Sequence, residues 1–228
     1  MRELPGKSVS LEDPVRRLTA AAGLVAAMLA LAACRSNPNV AAYVGDTTIT
    51  EDQITKLHDQ IKALPNMTAE QLPERSQVVQ ILVLDKVCQR AAQTAGVTVP
   101  PPQVPAGQPE LVEIQARMEA CKQALPAKAV QPTDADLREV YDNGVAVGAI
   151  NAADPANAFD QVKDQLAAGG QVAAALGQRQ QLEQAAESLG VSINPRYRTL
   201  AIPLLSFNQG PAVTADLGQQ SSTAVTNS

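Results

Sequence analysis

Tryptophan is missing from this chain, and aromatic residues of any kind are scarce: 3 Tyr and 2 Phe in 228 positions. Bases therefore find almost no ring to stack on, and a formal net charge of −5 repels phosphate backbones. No nucleic acid partner is expected. A single histidine, His58, and scattered carboxylates supply no HExxH pair, Cys₄ set or EF-hand loop. Neither a metal nor a cofactor is expected. No set of nucleophile, base and oxyanion donors can be assembled, so the chain does not read as an enzyme. What the sequence does have is apolar mass. It is 45% hydrophobic, with Leu, Ile, Val and Phe close to a quarter of all residues, which is enough to build a core across one or two domains.

The longest apolar run, Ala20 to Ala33, follows Arg16 and Arg17 and falls short of the roughly 20 residues of a membrane span. A basic flank, a short apolar stretch and then small residues make a secretory signal over residues 1–33. Leu31, Ala32, Ala33 and Cys34 are similar to the lipoprotein box of bacterial precursors, in which the cysteine thiol accepts a diacylglyceryl group and becomes the mature N-terminus. Cys34 is therefore the expected lipidation site, and acyl chains at that position would hold the protein on the extracytoplasmic face of the membrane. The competing reading is an ordinary signal whose cysteine is incidental. A twin-arginine signal fits Leu18 and Thr19 poorly. The fourteen residues before Val15 resemble no signal n-region, so translation starting at Val15 stays open.

After a polar tether at 34–39, alternating Val40, Ala42 and Val44, a Gly45-Asp46 turn and Thr47 to Ile49 read as a β-hairpin. Thr50 and Gln53 have capping-box spacing, and Ile54, Leu57, Ile61 and Leu64 follow as a helical stripe. A second, very apolar helix starts near Pro73, carries Ile81, Leu84 and Cys88, and stops at Gly96. Residues 97–109 hold five prolines, a stiff extended linker whose Pro102 and Pro105 form a PxxP. Leu111, Ile114, Met118, Cys121 and Leu125 predict a third helix. A short fourth runs from Pro132 to Asn143-Gly144, a fifth begins at Asp154-Pro155, and a sixth runs from about Gln171 to Gly190. Val191 to Tyr197 then reads as a closing strand, and residues 206–228, rich in Ser, Thr, Gln and Gly, as a disordered tail. The fold expected is mainly α: about six helices, a small hairpin and a C-terminal closing strand within residues 40–205.

Few side chains invite a functional reading. With Cys34 lipidated, Cys88 and Cys121 are the two remaining thiols in an oxidising compartment, and a disulfide between them is expected; two buried, unpaired cysteines are the alternative. His58 reads as a surface histidine, and Asp134, Asp136 and Glu139 as charges suited to a helix N-terminus. Asn66-Met67-Thr68 matches a glycosylation sequon but is most simply a turn. No client-binding residue can be named from sequence.

Three segments, in order, resemble the N-terminal chaperone domain of SurA-type peptidyl-prolyl isomerases and related lipid-anchored foldases. They are Val40 to Ile54, the apolar helix over Val78 to Val99, and Pro132 to Asn143 taken together with Val191 to Tyr197. The resemblance implies a chaperone fold closed by its last strand. It departs in two places. Tyr141 to Phe159 leaves only a loop where such enzymes commonly carry a parvulin domain, and Arg198 stands where relatives often have Gly. The implied function is chaperone-like binding of unfolded or assembling exported proteins, without isomerase catalysis and anchored to the membrane by lipid. The alternative is a structural or assembly partner of one envelope complex.

Overall fold

The computed structural model describes residues 38–126, 128–197 and 200–220. Strands β1 (Val40–Val44) and β2 (Thr47–Thr50) form the first hairpin, turned by Gly45 at φ +57°. The Thr50 hydroxyl accepts a hydrogen bond from the Gln53 N–H at 3.1 Å and so starts helix α1 (Glu51–Lys62), which buries Ile54, Leu57 and Ile61. Helix α2 (Arg75–Ala95) opens on a reciprocal cap between Glu74 and Gln77 and ends at Gly96, whose left-handed backbone leaves the helix axis. Ten of its residues are buried, which makes it the central helix. The proline-rich stretch 97–109 carries neither helix nor strand and leads into α3 (Glu110–Ala124).

Helices α4 (Asp134–Ala146), α5 (Phe159–Ala168) and α6 (Gln171–Ser188) come next. Two boundaries differ from those the sequence suggests. Asn143-Gly144 does not end α4, because Gly144 lies inside it: a Cβ at that position would come within 2.7 Å of Ile150 Cδ1, so glycine serves close packing there, not termination. Asp154-Pro155 starts a short 3₁₀ turn, Pro155–Asn157, and α5 begins only after it.

β3 (Ser192–Ile193) returns to pair antiparallel with β1, Ala42 facing Ile193 and Tyr43 facing Ser192. Beyond this strand the mainly-α expectation holds only in part, because residues 206–220 are not a disordered tail. β4 (Ala201–Phe207) and β5 (Gly210–Asp216) form a second antiparallel hairpin, and β6 (Gln219–Gln220) adds to β3 in parallel. The result is a four-stranded sheet in the order β2-β1-β3-β6 beside the two-stranded β4-β5. The chain is an α/β mixture with six α-helices among the described residues. The segment is fixed by its few apolar residues: Ala212, Val213, Ala215 and Leu217 are all buried. The expected tail at 221–228 and the signal segment with Cys34 lie outside the described residues.

Burial divides into two clusters. The first gathers the β1-β2 hairpin, α1, α2, α3, the C-terminal half of α6, β3, and Ile202 of β4 with Ala215 of β5; the second gathers α4, the start of α5, the N-terminal half of α6, and Ala212 and Val213 of β5. Helix α6 belongs to both. Its Val172, Ala175 and Leu176 serve the second cluster, and Leu182, Ala185 and Ala186 the first.

Candidate functional site

The second cluster does not close completely. Between α4, α5, the start of α6 and the β4-β5 hairpin lies a groove of about 370 Å³, within the range of about 300–1,000 Å³ typical of ligand sites. Val140, Val172 and Ala212 form its buried floor. Ile150, Val162, Leu166, Leu205 and Phe207 line its walls, each packed on the second cluster yet only half-buried. Polar side chains sit among them: Asn157 before α5, Gln165 on α5, Gln171 opening α6 and Ser206 on β4. None of the fourteen lining residues is charged.

The groove is held open by a frame. Tyr141 and Phe159, in the same cluster as the floor, meet edge to face at 5.6 Å, and the Arg138 guanidinium lies 3.7 Å from the Phe159 ring centre. Arg179 on α6 reaches α4, donating from Nη1 to Glu139 Oε2 at 2.9 Å and from Nη2 to Asp136 Oδ1 at 2.9 Å. Asp136 also accepts from the Thr133 hydroxyl at 2.6 Å and from the Thr133 N–H at 2.9 Å. The Thr133 hydroxyl first, with Arg179 adding to it, holds the Asp136 carboxyl below the ordinary aspartate range against the opposing cost of burial. Asn143 Nδ2 donates to the Ala212 carbonyl at 3.1 Å, fastening β5 to α4.

On the far side, α2 and α3 are joined twice. Cys88 and Cys121 form a disulfide with a Cα separation of 6.1 Å. About a turn earlier on each helix, Asp85 accepts a two-pronged pair from Arg117, Nε to Oδ1 at 2.8 Å and Nη2 to Oδ2 at 2.9 Å. Both ends of the fold meet at Glu51. Arg75 Nη2 at 3.0 Å, Arg196 Nη1 at 3.2 Å and the Tyr197 hydroxyl at 2.6 Å all donate to its carboxylate, while Arg196 Nη2 donates to the Pro38 carbonyl at 3.1 Å. Burial, and then the hydrogen bond to Glu51, push the Tyr197 hydroxyl above the ordinary tyrosine value.

The residues singled out in the sequence are scattered over the fold. Cys34 and Arg198 lie outside the described residues. Cys88 and Cys121 come together in the first cluster, and neither lines the groove. His58 is half-buried on α1 beside Leu57. Asp136 caps α4 as its position suggested, and Asp136 and Glu139 additionally hold Arg179, a pairing that sequence reading misses because it spans 43 and 40 residues. Asn66 is an exposed turn residue at φ 63°. The groove has almost no signature in the sequence. Its one available signal is the apolar run Leu200 to Phe207, then Asn208-Gln209 and a second run from Pro211 to Ala215, the pattern of a hairpin. Among the described residues no group of three or more His, Cys, Asp or Glu side chains could hold a metal, and no helix is long and apolar enough to cross a membrane.

Comparison with known proteins finds no family model, no curated protein and no solved structure that matches this chain.

Proposed function

We propose that this chain is an extracytoplasmic, membrane-anchored lipoprotein whose folded domain holds unfolded or assembling exported proteins in a chaperone-like manner, with no isomerase domain. The observation that carries the reading is the open, uncharged, largely apolar groove beside the second cluster. Half-buried apolar walls are what a transient client can cover and leave again, since removing apolar surface from water favours the complex and the cost of association limits its lifetime. The lipoprotein box ending at Cys34 supports the location. The resemblance to the chaperone domain supports the holding role, and the stretch between α4 and α5 is too short for a parvulin domain.

The experiment is aggregation suppression. A urea-denatured exported protein is diluted into buffer with or without the full chain, and the same is done with Leu166→Glu, which places a charge on the groove wall. Suppression by the native chain that is lost in Leu166→Glu supports the reading. No suppression, or co-purification of one fixed partner in equal amounts, would replace it with a dedicated assembly role in a single envelope complex.

A further inference from the structure

We infer that the groove takes short, extended, uncharged peptide segments with aliphatic side chains, and holds them partly through their main chain; this rests on the client-binding reading above. The aliphatic walls alone would suit any apolar occupant, including an acyl chain. The polar side chains decide between them. Gln165, Gln171 and Ser206 make no side-chain hydrogen bond among the described residues, and Asn157 uses only its Nδ2, donating to the Asn151 carbonyl at 3.3 Å, so its Oδ1 is free. An extended peptide brings one N–H and one C=O per residue, and each needs a partner when water is removed. Amide side chains, which donate and accept on one planar group, meet both needs. A methylene chain would meet none and would lay hydrocarbon along four polar side chains, three of them exposed.

The absence of charge restricts the client further. No lysine, arginine, aspartate or glutamate lines the groove, so a charged client residue would lose its hydration and gain no counter-ion there. Selection then falls on backbone and on aliphatic bulk rather than on a sequence motif. That suits a binder of many unfolded chains.

The test is photo-crosslinking on the full chain in phosphatidylcholine vesicles. The probes are a diazirine-bearing octapeptide Ser-Val-Thr-Leu-Val-Thr-Leu-Ser, the same peptide N-methylated at alternate amides, the same peptide with Asp and Lys replacing its two Val, and a diazirine palmitate. The parent peptide should form adducts within residues 150–172 and 205–212. N-methylation and the charged replacements should each lower adduct yield by about fivefold or more. The double variant Gln165→Leu with Gln171→Leu should lose parent labelling by a similar factor without a change in melting temperature, since Gln165 and Gln171 are exposed. Equal labelling by the N-methylated peptide, or groove labelling by palmitate in place of peptide, overturns the inference. If denatured clients are still held while N-methylation has no effect, only this inference falls. If neither clients nor peptides reach the groove, the client-binding reading falls with it.

Discussion

Asp85 is the one charged side chain buried among the described residues, 2% exposed, and Arg117 is what makes that tenable. The arginine's own charge is stabilised first by its hydrogen bonds to Asp85, which raise its affinity for the proton. Replacing Arg117 by leucine leaves the buried Asp85 carboxylate with only Lys86, whose Nζ lies 3.8 Å from Oδ2, and should cost about 2–4 kcal/mol, less than a fully enclosed pair because the arginine side chain is partly solvated. Adding Asp85→Leu should recover much of that loss, measured by urea denaturation of both variants. Asp136 gives the second residue-scale prediction. Its pKa is lowered on folding, so its contribution to stability is present above the ordinary aspartate value, near pH 4, and is lost as pH falls through the lower folded value. Asp136→Asn should therefore flatten the acid limb of the stability profile below about pH 4 while leaving its slope at neutral pH unchanged. The Asp85–Arg117 pair and the Arg179 part of the Asp136 effect were not legible in the sequence. The partners are too far apart along the chain for helical spacing to reveal them, whereas the Thr133–Asp136 cap, three residues long, could be read directly.

Elements were legible where one period dominates. Ile54, Leu57 and Ile61, or Leu111, Ile114, Met118 and Cys121, repeat at three and four residues, and the helices there are α1 and α3. The β4-β5 hairpin hid for physical reasons. Pro203 and Pro211 interrupt its strands, its register shifts at Pro203/Leu205 and Leu205/Ser206, and its buried residues are diluted by Ser, Thr, Gln and Gly. Deleting residues 208–228 removes β5 and β6 and uncovers both clusters. Melts followed by circular dichroism should show loss of the cooperative transition, the opposite of what a disordered tail would give. Leu217→Ala alone, at a fully buried position, should cost about 3 kcal/mol. The α2–α3 disulfide closes a loop of 33 residues, worth roughly 3.7 kcal/mol by the chain-entropy argument. A reducing agent should accordingly lower the melting temperature by about 7–15 °C.

At the scale of the whole molecule, α6 serves both clusters and Leu204 packs against both, so the two are expected to unfold as one transition, seen as coincident far- and near-ultraviolet melting curves. The groove, being peripheral to that core, can change without the fold. Leu166→Glu should shift the melting temperature little and still abolish client holding. β1 carries a different consequence, one of timing. It lies inside its sheet between β2 and β3, and Ala42 pairs with Ile193. A ribosome adding about 5–20 residues per second needs roughly 8–30 s to go from one partner to the other. Until then the N-terminal hairpin has two strands only and depends on the helices packed against it. A strand made early thus waits on one made late, and its sheet is completed only after most of the chain has left the ribosome.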